Sequence, residues 1–99
     1  MSAPDLSDFR AFLRIDHSET DQALELALLA AKAEAESFLG GTIAQLWPVD
    51  APGDVVMAVL LLAQTHADAG TPQEHEYRRT AAHHLLRPHR LQTGLGVLS

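Results

Sequence analysis

Six histidines are the residues of this chain best suited to chemistry, because a neutral imidazole can bind zinc or carry a proton near neutral pH. A zinc site on a helix usually takes two ligands at positions i and i+4, with a third nearby. No two of these histidines are four residues apart, and the adjacent pair at 83–84 points to different helix faces. We therefore expect no metal site, and surface or helix-capping positions for all six: His17, His66, His75, His83, His84 and His89.

Nucleophilic catalysis has equally little support in the sequence. The chain has no cysteine, and none of its serines lies in a turn of the nucleophile-elbow type. The pair Gly40-Gly41 follows a predicted helix, whereas a phosphate-binding loop precedes one. The acids between Glu19 and Glu36 are spread around a helix, as they would be on a solvated face. We therefore expect no catalytic residue, no cofactor and no enzymatic activity.

The charge distribution argues against a protein that binds nucleic acid by neutralising phosphates, because the net charge is −6. Residues 1–70 contain eleven acids and three bases, which gives −8, whereas residues 71–99 contain two acids and four arginines, which gives +2. This uneven distribution is either ordinary surface charge or a sign that the C-terminal end docks on an acidic partner.

Length and composition indicate one small all-α domain over residues 1–99, a helical bundle at 6–87 with an extended tail at 88–99. Ala and Leu dominate and β-branched residues are scattered, which favours helix. The first residues lack the basic and apolar regions of a signal peptide. The longest apolar run, Val55 to Ala63, has nine residues, whereas a membrane span needs about 20. We expect a soluble protein made in a reducing compartment.

Hydrophobic periodicity and end signals predict four helices, near 7–15, 18–39, 52–69 and 72–87. Ser7 and Ser18 are the expected N-caps of the first two, and Gly40 with Gly41 should end the second in the left-handed conformation. Residues 42–51 are expected to form a linker. The predicted core lies mainly on the second and third helices: Leu24, Leu28, Ala31, Phe38, Val56, Val59 and Ala63.

Start signals define the two later helices. Pro52 is tolerated at a first helical position, and the segment Thr71-Pro72-Gln73-Glu74 combines a Thr cap, an early Pro and the Glu of a capping box. The fourth helix should stop before Pro88, with Tyr77, Ala81 and Leu85 on one face.

The third predicted helix is apolar on all sides from Val55 to Ala63. In so small a domain, such a helix is either the central one or partly faces another subunit. We predict that the protein acts by assembly, as a closed ring of identical subunits in head-to-tail contact. The candidate interface residues are Met57, Leu60 and Leu61.

The C-terminal segment from Arg87 to Ser99 contains two arginines, a proline and four large apolar residues spaced by glycines. Such a segment either frays, as termini usually do, or becomes ordered on a partner, with apolar anchors and arginines paired to carboxylates. We expect the ordered alternative. The candidate partner-binding residues are Arg78, Arg79, Arg87, Arg90, Leu91, Leu95, Val97 and Leu98.

The arginines of the fourth helix also permit a second hypothesis, a small helical DNA-binding or regulatory protein. A recognition helix carries such residues on one exposed face. Here, however, Arg78 follows Glu74 by four residues, the spacing of an ordinary surface ion pair, and the chain is acidic. A helical enzyme subunit or lid is a third hypothesis.

Several segments of the chain resemble the phage head–tail connector family. Residues 12–17, with the sequence FLRIDH, and the acidic 19–21 resemble the family's opening. Residues 30–40 are similar to its Ala-rich helix, which has an acid and an aromatic before a glycine. Residues 52–69 resemble its hydrophobic helix entered through a proline, and the LLRPHR segment at 85–90 resembles its ending.

The resemblance extends over residues 6 to 90 and implies a structural protein of a phage or a gene transfer agent. It implies a dodecameric ring between the portal protein and tail-side proteins such as a stopper or tail terminator. DNA would pass through this ring without sequence-specific binding. The implied location is the head–tail junction of the virion, with synthesis in the bacterial host cytoplasm and no contact with a membrane.

Overall fold

The computed structural model describes residues 4–13, 21–67 and 70–90, and within these ranges every regular element is helical. The all-α prediction is therefore confirmed. The elements are α1 (Leu6–Leu13), α2 (Asp21–Leu39), α3 (Ile43–Leu46), α4 (Gly53–Ala67), α5 (Pro72–Leu86) and a 3-10 turn (Arg87–His89).

The short helix α3 was not predicted, since residues 42–51 were expected to form a linker. It exists because Thr42 and Gln45 form a capping box: the Thr42 Oγ1 accepts from the Gln45 amide at 3.1 Å, and the Gln45 Oε1 accepts from the Thr42 amide at 3.4 Å. The Glu36 carboxylate also accepts a hydrogen bond from the Ile43 amide at 2.8 Å. This contact joins the start of α3 to α2.

Two of the predicted signals for helix ends are confirmed, and a third is wrong. Thr71 caps α5, since its Oγ1 accepts from the Glu74 amide at 3.1 Å and its own amide donates to Glu74 Oε1 at 2.8 Å. Gly40 has a φ of 89°, the left-handed conformation expected at the end of α2. The N-cap of α1 is Asp5 and not Ser7, because the Asp5 Oδ1 accepts from the Asp8 amide at 2.9 Å.

Other predicted ends differ by a few residues. The described part of α2 begins at Asp21, and the expected cap at Ser18 lies outside the described residues. Helix α4 begins at Gly53, after Pro52 whose carbonyl accepts from the Val56 amide at 3.1 Å. Helix α5 ends at Leu86, as the following Pro88 requires, but the chain then makes one 3-10 turn where no helix was expected.

Helix α4 is the centre of the fold, with α2, α5 and α1 all packed against it. The apolar side chains around α4 are therefore covered mainly by its own chain. This favours the explanation that Val55 to Ala63 belong to the central helix of the fold, and not to a helix that partly faces another subunit. Six of the seven predicted core residues are buried, but Phe38 is only partly buried and Leu39 takes the interior position. On α5 the buried residues are Ala82 and Leu86, whereas Tyr77 is 77% exposed.

None of the helices in the described ranges is long and apolar enough to span a membrane.

Candidate functional site

A charged cluster joins α2 to α5 around the carboxylate of Glu34. Arg79 binds it in bidentate fashion, with Nε at 2.6 Å from Oε2 and the second guanidinium nitrogen at 3.1 Å from Oε1. Both groups are partly buried, so water screens the pair less than it would a fully exposed one. Arg79, a candidate partner-binding residue, is thus held within its own subunit.

Two histidines complete the Glu34 cluster. The His66 Nε2 lies 3.2 Å from Glu34 Oε1, and the His83 Nε2 lies 3.7 Å from Oε2. The hydrogen bonds from Arg79 lower the pKa of Glu34 below its ordinary value and outweigh the opposing effect of burial, and the weaker contribution of His66 also lowers this pKa. A carboxylate held in its ionised form is a poor proton donor, so this cluster is suited to joining α2, α4 and α5.

A second polar contact ties the end of the helical region to the start of α4. The His89 Nε2 lies 3.0 and 2.9 Å from the two carboxylate oxygens of Asp54, and the His89 ring meets the Trp47 ring edge-on at 5.5 Å. The same carboxylate accepts a hydrogen bond from the Val55 amide at 2.9 Å. His89 therefore fixes the last described residues of the chain against the start of α4.

The Phe38 ring, near the C-terminal end of α2, is in contact with two side chains from α5 and the residues after it. The His83 ring stacks on it, with 4.6 Å between centroids and 3° between planes, and the Arg90 guanidinium lies 5.1 Å from its centroid. This arrangement explains why Phe38 stays half-exposed. It also positions Arg90, the last residue before the predicted apolar anchors.

The candidate partner-binding residues are thus placed in different surroundings. Arg78 is half-buried between α4 and α5, Arg79 is bound to Glu34, Arg87 is exposed, and Arg90 lies over Phe38. The four apolar candidates of the tail, Leu91, Leu95, Val97 and Leu98, lie outside the described residues.

One exposed apolar surface lies between α4 and α5. It is a groove of about 380 Å³, which we call the α4/α5 groove, and its lining residues are Leu61, Gln64, Thr71, Gln73, Glu74, Tyr77 and Arg78. Among the interface candidates, Leu61 lines this groove, Met57 is 42% exposed one turn before it, and Leu60 is only 7% exposed and belongs to the core.

A second exposed apolar surface is the outer face of α2, which we call the α2 ridge. It consists of Leu26, Leu29, Ala30 and Ala33, all exposed, with the two leucines at 60% and 61%. Leu26 is two positions from the buried Leu24 and so lies about 200° around the helix axis from it. The acids spread around this helix indicate a solvated face. The spacing of Leu26, Ala30 and Ala33, alternating steps of four and three, was a signal that this interpretation missed.

Within the described residues no group of three or more His, Cys, Asp or Glu side chains is arranged to hold a metal ion.

A family model described as phage gp6-like head-tail connector protein matches residues 4–76. The match runs from the residues before α1 into the first turns of α5, and it ends before the 85–90 segment on which part of the resemblance was based. No curated protein and no solved structure matches the chain.

Proposed function

Because the chain belongs to the phage gp6-like head-tail connector family, which is structural and not enzymatic, we propose that it is an adaptor subunit at the head–tail junction of a phage or phage-like particle. The family match over residues 4–76 is the observation that carries this proposal. Membership in this family implies a virion component that contacts other head or tail proteins.

The proposed assembly is a ring of identical subunits, dodecameric, between the portal and a stopper or tail-terminator protein. Two exposed apolar surfaces, the α2 ridge and the α4/α5 groove, support an assembling protein, since large exposed apolar side chains commonly mark interaction sites. DNA would pass through the ring without tight binding, because a subunit of net charge −6 offers little phosphate neutralisation.

The proposed portal contact uses the C-terminal end of the subunit. Arg87 is exposed, and Arg90 is placed by Phe38 at the start of the tail, so both can reach carboxylates on a partner. We assign residues 6–87 to the folded adaptor and residues 88–99 to docking. Arg79 contributes less to this contact than the sequence indicated, because Glu34 already binds its guanidinium.

The proposed role is mechanical, with no catalytic residue and no cofactor. The cluster best equipped for proton chemistry is used to join helices, since Glu34 has its pKa lowered by Arg79. The alternative of DNA recognition by α5 also loses support, because Arg79 cannot both bind Glu34 and read a base edge.

The direct test is binding to purified heads that carry the portal but no tail. Full-length protein should co-sediment with these heads at a fixed number of copies per head and should not bind heads assembled without a portal. Equal binding to both kinds of head, or binding to neither, would contradict the adaptor assignment.

A further inference from the structure

We propose that residues 87–90 form a clasp, which holds the end of the helical region on α2 and α4 and so presents Arg90 to the docking partner from a fixed position. The clasp consists of two side-chain contacts, His89 with Asp54 at the start of α4 and Arg90 with Phe38 in the last turn of α2. This inference rests on the proposed portal contact and assigns His89, Asp54 and Phe38 as positioning residues for it.

The surroundings of the chain change directly after Leu86. Leu86 is fully buried in the core, whereas each of the next four residues is exposed or half-buried. A 3-10 turn, Arg87–His89, follows α5, and the Arg90 amide donates to the Arg87 carbonyl at 3.2 Å. Polar and aromatic side-chain contacts, and not burial in the core, therefore set the position of residues 87–90.

The His89 contact joins this turn to the start of α4. The imidazole Nε2 lies within 3.0 Å of both carboxylate oxygens of Asp54. Because an ionised carboxylate only accepts hydrogen bonds, Nε2 carries the proton here. The Val55 amide donates to Asp54 Oδ1 at 2.9 Å, so the acceptor is oriented by its own helix. The Trp47 ring meets the imidazole edge-on and limits its rotation.

The Arg90 contact joins the turn to the end of α2. The guanidinium carbon lies 5.1 Å from the centroid of the Phe38 ring, within the range of a cation–π attraction. The His83 ring stacks on Phe38 and holds it in place. Arg90 is nevertheless exposed, so its N–H groups can still bind a carboxylate. A docking segment whose first side chain is already placed loses less conformational freedom on binding.

The clasp should open without unfolding the helices. Its contacts join partly exposed groups for which water competes, so each contact is weak compared with the burial of Leu86. Trypsin can report this opening, because the protease must take the Arg90 side chain into its own pocket to cut the bond to Leu91. The bond between Arg87 and Pro88 is a poor trypsin site, since a proline follows the arginine.

The first test measures by mass spectrometry how fast a low concentration of trypsin releases residues 91–99 from the full-length protein. Phe38→Leu removes the ring but keeps an apolar side chain, and His89→Ala removes the imidazole. Each should raise the release rate about threefold to tenfold, because the open state becomes more populated. Cleavage after Arg79, inside α5, should keep the wild-type rate. Two controls, Phe38→Tyr, which retains the ring, and His84→Ala, which removes an exposed histidine of α5, should release residues 91–99 as the wild type does.

The second test measures attachment of the same variants to portal-bearing heads. Phe38→Leu and His89→Ala should weaken attachment about threefold to tenfold, whereas Phe38→Tyr should bind as the wild type does. If neither variant releases residues 91–99 faster than the controls, the clasp is wrong whether or not the protein is an adaptor. Faster release with unchanged attachment would overturn the positioning role. If the wild type itself does not bind these heads, the proposed function fails, and the release rates still decide whether the clasp exists.

Discussion

The two faces of α2 have nearly the same apolar composition but opposite surroundings. On the inner face Leu24, Ala31 and Ala35 are fully buried against the rest of the core. On the outer face Leu26 and Leu29 leave 60% and 61% of their surface exposed. One helix thus stabilises the fold with one face and leaves apolar side chains exposed on the other, so substitutions on the two faces should separate folding from the proposed assembly.

The largest effect on the stability of the subunit is expected on the inner face. Leu28→Ala should lower the free energy of unfolding by about 2–5 kcal/mol, because it removes buried surface and leaves a cavity. Leu29→Ala, the matched change on the outer face, should shift it by less than about 0.5 kcal/mol. Urea titration followed by circular dichroism measures both, and comparable losses would show that Leu29 is also covered within the subunit.

The next largest effect concerns the charged cluster at the edge of the inner face. Glu34→Ala should cost about 1–2 kcal/mol, since it leaves the half-buried Arg79 without its bidentate partner. Glu25→Ala, on the exposed side of the same helix, serves as the control and should be nearly neutral. Equal stability of the two variants in the same titration would mean that the cluster does not join α2 to α5.

A smaller effect should appear as the pH falls. The Arg79 hydrogen bonds hold the pKa of Glu34 below its ordinary value of 4.5, so its contribution to stability is complete above that pH and is lost as the pH falls through the lower folded value. The difference in unfolding free energy between the wild type and Glu34→Gln should therefore shrink in acid. A difference that stays constant from neutral pH to well below 4.5, where even a carboxyl of lowered pKa is protonated, would contradict the lowered pKa.

The smallest effect on stability is expected from the tail. Deletion of residues 91–99 should change the unfolding free energy by less than about 0.5 kcal/mol, because the core formed by the described residues lies within 9–86. The same deletion should abolish attachment to portal-bearing heads if the tail docks there. Truncated protein that joins heads as well as the full-length chain does would remove the docking role of the tail.

Local signals in the sequence predicted much of the fold. The Thr71 capping box, the left-handed Gly40 and most of the core follow from residue types and spacing within a few positions, and the structure confirms them. The exchange of Phe38 for the neighbouring Leu39 in the core could not be foreseen, because it depends on His83 and Arg90 stacking on Phe38 from distant parts of the chain.

The candidate surfaces were also hard to predict, because they too depend on contacts between residues that are far apart in the sequence. Glu34 and Arg79 are 45 residues apart, so nothing in their local sequence indicated that Arg79 would be bound within the subunit. In the sequence, Leu60 is as suitable for an interface as Leu61, because the helix is apolar on all sides. The packing of α2 and α5 on this helix decides which of its sides faces outward. Family membership, in contrast, depends on the pattern of residue types along the chain and could be recognised before any contact was known.

A reconstruction of the head–tail junction in purified particles tests the central claim most directly. The account predicts a closed ring of copies of this chain between the portal and the tail-side proteins. A junction in which the portal contacts the tail without such a ring, or a ring made of another protein, would contradict it.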